Sequence, residues 1–228
     1  LLARTGGSAP AEAIDYLRSL AALGIPCVNN PIGIYRTRHK GVAYALLSHY
    51  GVPVPKTVTL GSESLESALT LVPGPPWILK LPLSTKGQGV ALVESLRSLR
   101  STTDMLRGTG QTVLLQEYIA TAKGTDIRVF VLGGKAVLAA RRSAVREDEF
   151  RSNLHLGGKP ELMELTHDLA YISERAADTL GLDIAGVDLL EGPEGYMVVE
   201  VNSSPGLTAS AKLPSLLFDF LESRVAVP

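Results

Sequence analysis

Two apolar runs, Ile184–Leu190 and Tyr196–Val201, flank Gly192-Pro193-Glu194-Gly195 and read as a β-hairpin. No other stretch limits the fold as much, because polar groups set inside apolar strands must be given partners. Asp188 lies on the first strand, and Glu200 and Asn202 lie on the second. Alternation puts Glu200 and Asn202 on one face. An odd loop such as Pro193–Gly195 would set Asp188 directly opposite Glu200, whereas an even loop sends it to the other face. Unpaired buried carboxylates are costly. Two carboxylates and an amide oxygen form an oxygen-only set that suits Mg²⁺, which binds through one or two carboxylates plus substrate phosphates. The same three residues also read as strand-end polar groups with an Asx turn before Pro205.

The chain has 228 residues, 45% hydrophobic and 20% charged, enough for one large or two small domains. A net charge of −1 without a polybasic run gives no footprint for nucleic acid or a membrane surface. No apolar run approaches the roughly 18 residues of a membrane span. The single cysteine, Cys27, cannot close an internal disulfide, which points to a reducing, cytoplasmic setting. Its apolar surroundings favour core packing over a catalytic thiol. The start, Leu1-Leu2-Ala3-Arg4, has neither Met nor a signal-peptide layout and reads as mid-protein.

Along the chain, Ser8-Ala9-Pro10 opens a helix that Gly24 closes, and Ile25–Val28 reads as a short strand. The pair is expected to be the tail, residues 1–33, of a Rossmann-like N-terminal domain. One helix is expected from Ile34 to Tyr50, with Arg36, Arg38, His39 and Lys40 in its first turns, where the helix dipole disfavours cations. Strands at Thr57–Leu60, Trp77–Leu81 and Val90–Glu94 alternate with helices at Leu65–Val72 and Leu96–Leu106, and Thr112–Tyr118 reads as a strand at a lobe boundary. Gly133-Gly134 joins Thr125–Leu132 to Lys135–Arg142 as a tight hairpin, which would place Arg141 opposite Asp126. Residues 143–160 read as a long functional loop. Helices at Thr166–Leu180 and Leu213–Ser223 complete an α+β chain in two lobes, 34–115 and 116–228.

Lys80 ends an apolar strand and is followed by Ser84-Thr85-Lys86-Gly87-Gln88-Gly89. Glycines let backbone N–H groups close around phosphate and lysines supply charge, but an ordinary glycine turn reads the same way. The pattern is neither a Walker A nor a G-x-G-x-x-G motif, and no protein-kinase signature is present. Phe150-Arg151-Ser152-Asn153-Leu154-His155 brings one planar cation and short hydrogen-bonding side chains, a set suited to an anion, with His155 read as structural.

In this order, Lys40, Lys80 with its glycine loop, Gln116-Glu117-Tyr118-Ile119, Asp126-Ile127-Arg128, Phe150–Asn153, Asp188 and Glu200-Val201-Asn202-Ser203-Ser204-Pro205-Gly206 resemble the ATP-grasp superfamily. The resemblance covers essentially the whole chain and is strongest to the RimK-like carboxylate–amine ligases of the α-L-glutamate ligase type. It implies an ATP-grasp fold with ATP between two α+β lobes. Asp188, Glu200 and Asn202 would be the metal ligands, with Glu200 bridging two Mg²⁺ ions and Mn²⁺ as an alternative. Lys40, Lys80, Lys86, Gly87, Gln88 and Gly89 would lie on the phosphates. Gln116, Glu117, Tyr118 and Ile119 would frame adenine, with Asp126, Arg128, Arg151, Ser152 and Asn153 as further nucleotide positions. Arg151, Arg142 and Asn153 would carry catalysis.

The activity implied is attack of a carboxylate on the γ-phosphate to give an acylphosphate, then capture by an amine. The carboxylate could belong to a protein C-terminus, a peptide or a coenzyme; the amine would be glutamate or another amino acid, and a homo-oligomer is compatible. The rival reading is an inactive ATP-binding module that works through a partner. Three departures stand out: a longer spacer from Arg142 to Arg151, a largely missing N-terminal domain, and neutral Leu207-Thr208-Ala209-Ser210 where many glutamate ligases carry Glu-Gly. Those four residues are expected to wall the substrate pocket.

Overall fold

A computed structural model describes residues 1–5, 9–61, 65–84, 89–122, 124–144 and 160–225. It is built on two antiparallel sheets with separate cores. The first has the order β1-β4-β2-β3, with β1 at Thr57–Leu60, β2 at Trp77–Lys80, β3 at Val90–Val93 and β4 at Val113–Glu117. Helices α4 (Leu65–Leu69) and α5 (Leu96–Gly108) cover one face, where Trp77, Leu79, Val113 and Leu115 pack on Leu65, Ala68 and Leu99. Strand alternation leaves Ile78, Lys80, Leu114 and Gln116 on the other face. Lys80 thus ends β2 pointing away from its own core.

The second sheet has the order β7-β6-β5-β8-β9, with β5 at Thr125–Leu132, β6 at Lys135–Ser143, β7 at Glu161–Met163, β8 at Ile184–Gly192 and β9 at Gly195–Asn202. Val129, Val131, Val187, Leu189, Val198 and Val201 form its core face against helix α6 (His167–Leu180). Thr166 caps that helix, and Gly181 ends it at φ 78°, the left-handed conformation glycine adopts without strain. Helix α7 (Leu213–Val225) packs Leu217 on Leu132 and Ile184.

The single helix expected over 34–50 is two helices, α2 (Pro31–Arg38) and α3 (Lys40–His49), broken at His39. The break resolves the charge conflict for two of the cations: Arg36 and Arg38 fall in the last turn of α2, where the dipole favours them. The Lys40 N–H bonds the Pro82 carbonyl at 3.2 Å, so α3 starts against the segment that follows β2. Although α3 precedes the first sheet in sequence, its Ala43 and Leu47 pack into the core of the second.

At the N-terminus, helix α1 (Ala11–Ala22) packs Ile14 and Leu17 on Ile34. The strand expected at Ile25–Val28 reduces to one parallel bridge, Leu2 to Val28. Cys27 is half-buried rather than in the core, its thiol 3.4 Å from the Ile25 carbonyl. Buried Asn29 donates to the carbonyls of Ile184 and Ser203 at 2.7 and 2.8 Å and accepts from Ile184 N at 2.6 Å, tying this segment to the start of β8.

Both central hairpins have two-residue turns, and in both a bulge then moves the register by one. Leu132 pairs with Lys135 around Gly133-Gly134, but the ladder shifts between Phe130 and Val131, leaving Val137 as the extra residue. Asp126 therefore faces Arg142, and the expectation that Arg141 lies opposite Asp126 is corrected: Arg141 faces Ile127. In the second hairpin Gly192 pairs with Gly195, an even loop that alone would set Asp188 opposite Val199. The shift between Asp188 and Leu189 makes Val199 the extra residue and brings Asp188 opposite Glu200. The facing carboxylates come from a bulge, not from an odd loop.

Candidate active site

The face of the second sheet opposite α6 gathers Asp126 and Arg128 from β5, Arg142 from β6, Asp188 from β8, and Glu200 and Asn202 from β9. Arg128 grips Asp188 as a fork, Nε to Oδ1 and Nη2 to Oδ2, both at 2.6 Å. Arg142 binds Asp126 through Nε at 2.5 Å and through Nη2, and its Nη2 also lies 3.0 Å from Asp188 Oδ2. The side chains of Arg142 and Asp188 are only 9% and 5% exposed, so these pairs act with little solvent screening. Burial pushes the Asp188 carboxyl up, but Arg128 and Arg142 outweigh it and hold the pKa below the usual carboxylate range. Burial likewise opposes the Arg142 charge, and the Asp188 and Asp126 carboxylates override it and raise its pKa.

The donors left over suit a hard cation. Asp188 Oδ2 meets Arg128, Arg142 and the Asn202 amide nitrogen (3.4 Å), whereas Oδ1 meets Arg128 alone among the described residues. A carboxylate oxygen has two lone pairs, so Oδ1 keeps one. Among the described residues the Asn202 amide oxygen accepts no hydrogen bond and Glu200, 38% exposed, meets only Lys40, at 3.3 Å. The described residues hold no cluster of three histidine, cysteine or acidic side chains that could hold a metal, so a third donor beside Asp188 and Glu200 would have to be an amide oxygen such as that of Asn202. Oxygen donors alone on one wet-edged face are the chemistry of a magnesium site.

The two lysines approach this face from α3 and β2. Lys40 Nζ bonds the Ser84 carbonyl as well as Glu200. Lys80 Nζ donates to the Tyr44 hydroxyl at 3.0 Å. Gly89 sits at φ 66°, its carbonyl accepting from Leu81 N at 2.9 Å, while Lys86, Gly87 and Gln88 lie outside the described residues. On β4, buried Gln116 donates to Thr57 Oγ1 at 2.7 Å, and Glu117 accepts from Lys56 N at 2.7 Å, so both side chains are held by β1 and the residue before it. Tyr118 is half-buried, its phenol pKa raised by burial, and Ile119 is buried. Arg151, Ser152, Asn153 and His155 lie outside the described residues.

Tyr44 is the residue that motif reading missed. It lies four positions after Lys40 on α3, hence on the same helix face, and its hydroxyl also bonds the Val199 carbonyl. Leu207, expected to help wall a substrate pocket, packs beside Leu132, Ile184 and Leu217. Gly186 is needed for the segment leading there: a β-carbon on it would lie 2.7 Å from Pro205 Cβ. Gly186→Ala should therefore displace Pro205 and destabilise the chain by roughly 1–3 kcal/mol, read as a lowered denaturation midpoint. An unchanged midpoint would show that Pro205 yields freely.

Among the described residues, no helix is long and apolar enough to cross a membrane. Residues 37–216 match the RimK-like ATP-grasp domain family. The "Probable alpha-L-glutamate ligase 2" of Shewanella frigidimarina is 41% identical over 213 residues, covering 93% of this chain and 71% of that protein. The "Probable alpha-L-glutamate ligase" of Aliivibrio fischeri is 37% identical, covering 99% and 77%. Among solved structures, the RimK domain ATP-grasp protein of Sphaerobacter thermophilus superposes with a TM-score of 0.72 at 23% identity, covering 96% of this chain and 80% of that one. The D-alanine–D-alanine ligase of Bacillus anthracis complexed with ATP gives 0.71 at 22% identity, covering 92% and 74%. The fold is that of ATP-grasp ligases, and the chain belongs to the RimK-like ATP-grasp family.

Proposed function

We propose that the protein is an ATP-dependent carboxylate–amine ligase that joins an amino acid, glutamate first among candidates, to a peptide, protein or coenzyme carboxylate. The observation that carries this reading is the meeting of Asp188, Glu200 and Asn202 on one sheet face with Lys40 on Glu200 and Lys80 one tyrosine away. Family membership and the names of its relatives support the choice of glutamate, and the neutral residues 207–210 leave room for another amine.

Asp188, Glu200 and Asn202 would hold Mg²⁺, which neutralises phosphate charge and polarises the γ-phosphoryl group. Lys40 and Lys80 would bind phosphate oxygens, and Gln116 to Ile119 would border adenine. Arg128 and Arg142 fix Asp188 in one orientation, a positioning role for Arg142 beside its proposed part in catalysis. The substrate carboxylate would attack the γ-phosphorus, releasing ADP, and the amine would then displace phosphate from the acylphosphate. No nucleophilic side chain is needed for either step. Residues 1–33 are read as the end of a preceding domain, and 34–115 and 116–228 as the two lobes.

The test is ADP release over a panel of carboxylates and amino acids, with products read by mass. ADP formation that requires both a carboxylate and an amine supports a ligase; nucleotide binding without turnover across the panel counts against it. Lys80→Ala should mainly weaken ATP binding. Arg151→Ala should mainly slow turnover, since an arginine facing developing charge acts most in the transition state and is worth about 3 kcal/mol. An Arg151→Ala variant with lost affinity and an unchanged rate would show that role to be misplaced.

A further inference from the structure

Tyr44 connects the two sheets through one hydroxyl group. Lys80 Nζ lies 3.0 Å from it, and the Val199 carbonyl lies on its other side. The direction of both bonds is forced. An ammonium only donates and a carbonyl only accepts, so the hydroxyl accepts from Lys80 and gives its single proton to Val199. Tyr44 is buried, so its ring holds the hydroxyl in place.

The two ends of this chain of bonds matter for different reasons. Lys40 has Glu200 as a partner, whereas Lys80 has no carboxylate within ion-pair distance among the described residues. A lysine stem is flexible, and a neutral phenol can aim its ammonium without cancelling the charge. At the other end, Val199 is the extra residue of the β9 bulge and has no partner in the ladder. That bulge is what sets Glu200 opposite Asp188.

We propose that Tyr44 is a positioning residue of the nucleotide site, aiming the Lys80 ammonium of the first sheet while pinning the bulge that presents Glu200 on the second. The role rests on reading Lys80 and Glu200 as nucleotide and magnesium contacts. Tyr44→Phe removes the hydroxyl and keeps the ring. ADP affinity is to be measured by calorimetry, with EDTA and with saturating Mg²⁺, for the wild type, Tyr44→Phe, Lys80→Met and the double variant. In EDTA, Tyr44→Phe should raise Kd about three- to tenfold, the worth of one hydrogen bond. The same change should do nothing in EDTA in the Lys80→Met background, because the group it aims is gone. The tightening of ADP by Mg²⁺ should shrink on Tyr44→Phe in both backgrounds, which a general loss of rigidity would not divide in this way. Equal loss with and without Lys80, or affinities matching the wild type under both conditions, would overturn the role of Tyr44 alone. A wild-type protein that binds no nucleotide would overturn the nucleotide reading and this role with it.

Discussion

Asp188→Ala is expected to destabilise the protein by about 3–5 kcal/mol, the scale set by breaking a buried ion pair from one side. Among the described residues, the substitution leaves the Arg128 guanidinium, gripped at two 2.6 Å contacts, without a partner in a largely buried place. Arg142 keeps Asp126 and so loses less. Removing both sides, as in Asp188→Leu with Arg128→Met, should recover most of the loss, since an apolar pair of similar volume needs no desolvation of charge. Chemical denaturation of the two variants measures this, and a loss below about 1 kcal/mol for Asp188→Ala would place the network among weak surface pairs. The same carboxylate gives the acid limb of stability its sign. Its pKa is held below the ordinary range, so the folded chain binds fewer protons than the unfolded one near that range. Its contribution is fully present above the unfolded carboxylate pKa of about 3.9 and is lost as pH falls through the lower folded value. Asp188→Ala should flatten the stability curve below about pH 4.

The parts of the site legible in sequence were those carried by local pattern. The turn signals at Gly133-Gly134 and Gly192–Gly195, the alternation on β9 and the polar residues inside apolar strands all survive in the structure. Parity did not, because each hairpin hides one extra residue, Val137 or Val199, that looks like any strand valine. The second bulge is held by the Tyr44 hydroxyl, 155 positions away in sequence, so no window around it could reveal it. Likewise the break at His39 is fixed by a bond from Lys40 to Pro82, not by a proline or glycine inside the helix. Strand β7, Glu161–Met163, escaped because three mostly exposed residues carry no period; it exists through pairing with β6. The setting of Asp188 was half visible: burial cost called for a compensating charge, but the two arginines that answer it required the true register.

Glu200→Gln is expected to behave in the opposite way to Asp188→Ala, although the two carboxylates face each other in the ladder. Glu200 is 38% exposed and its one partner among the described residues, Lys40, lies at 3.3 Å, which makes the contact an ion pair of small worth to the fold. Glutamine fills the same volume and still accepts a hydrogen bond from Lys40. The melting temperature should therefore stay within a degree or two of the wild type, about 0.5 kcal/mol. Turnover should not survive. Glutamine removes the negative charge and one of the two oxygens that Glu200 would offer a hard divalent cation, and the several kcal/mol of charge stabilisation that such an ion gives phosphoryl transfer corresponds to a loss of about a thousandfold or more. The measurements are ADP release, the Mg²⁺ concentration giving half-maximal rate, and the thermal melt, all on one preparation. A folded variant with its rate collapsed and its Mg²⁺ demand raised would assign Glu200 to the metal. Near-normal ATP consumption by that variant would remove Glu200 from the metal site and leave it as the counter-ion of Lys40. Because the fold is expected to persist, inactivity could not be blamed on unfolding, which is the ambiguity that Asp188→Ala alone would carry.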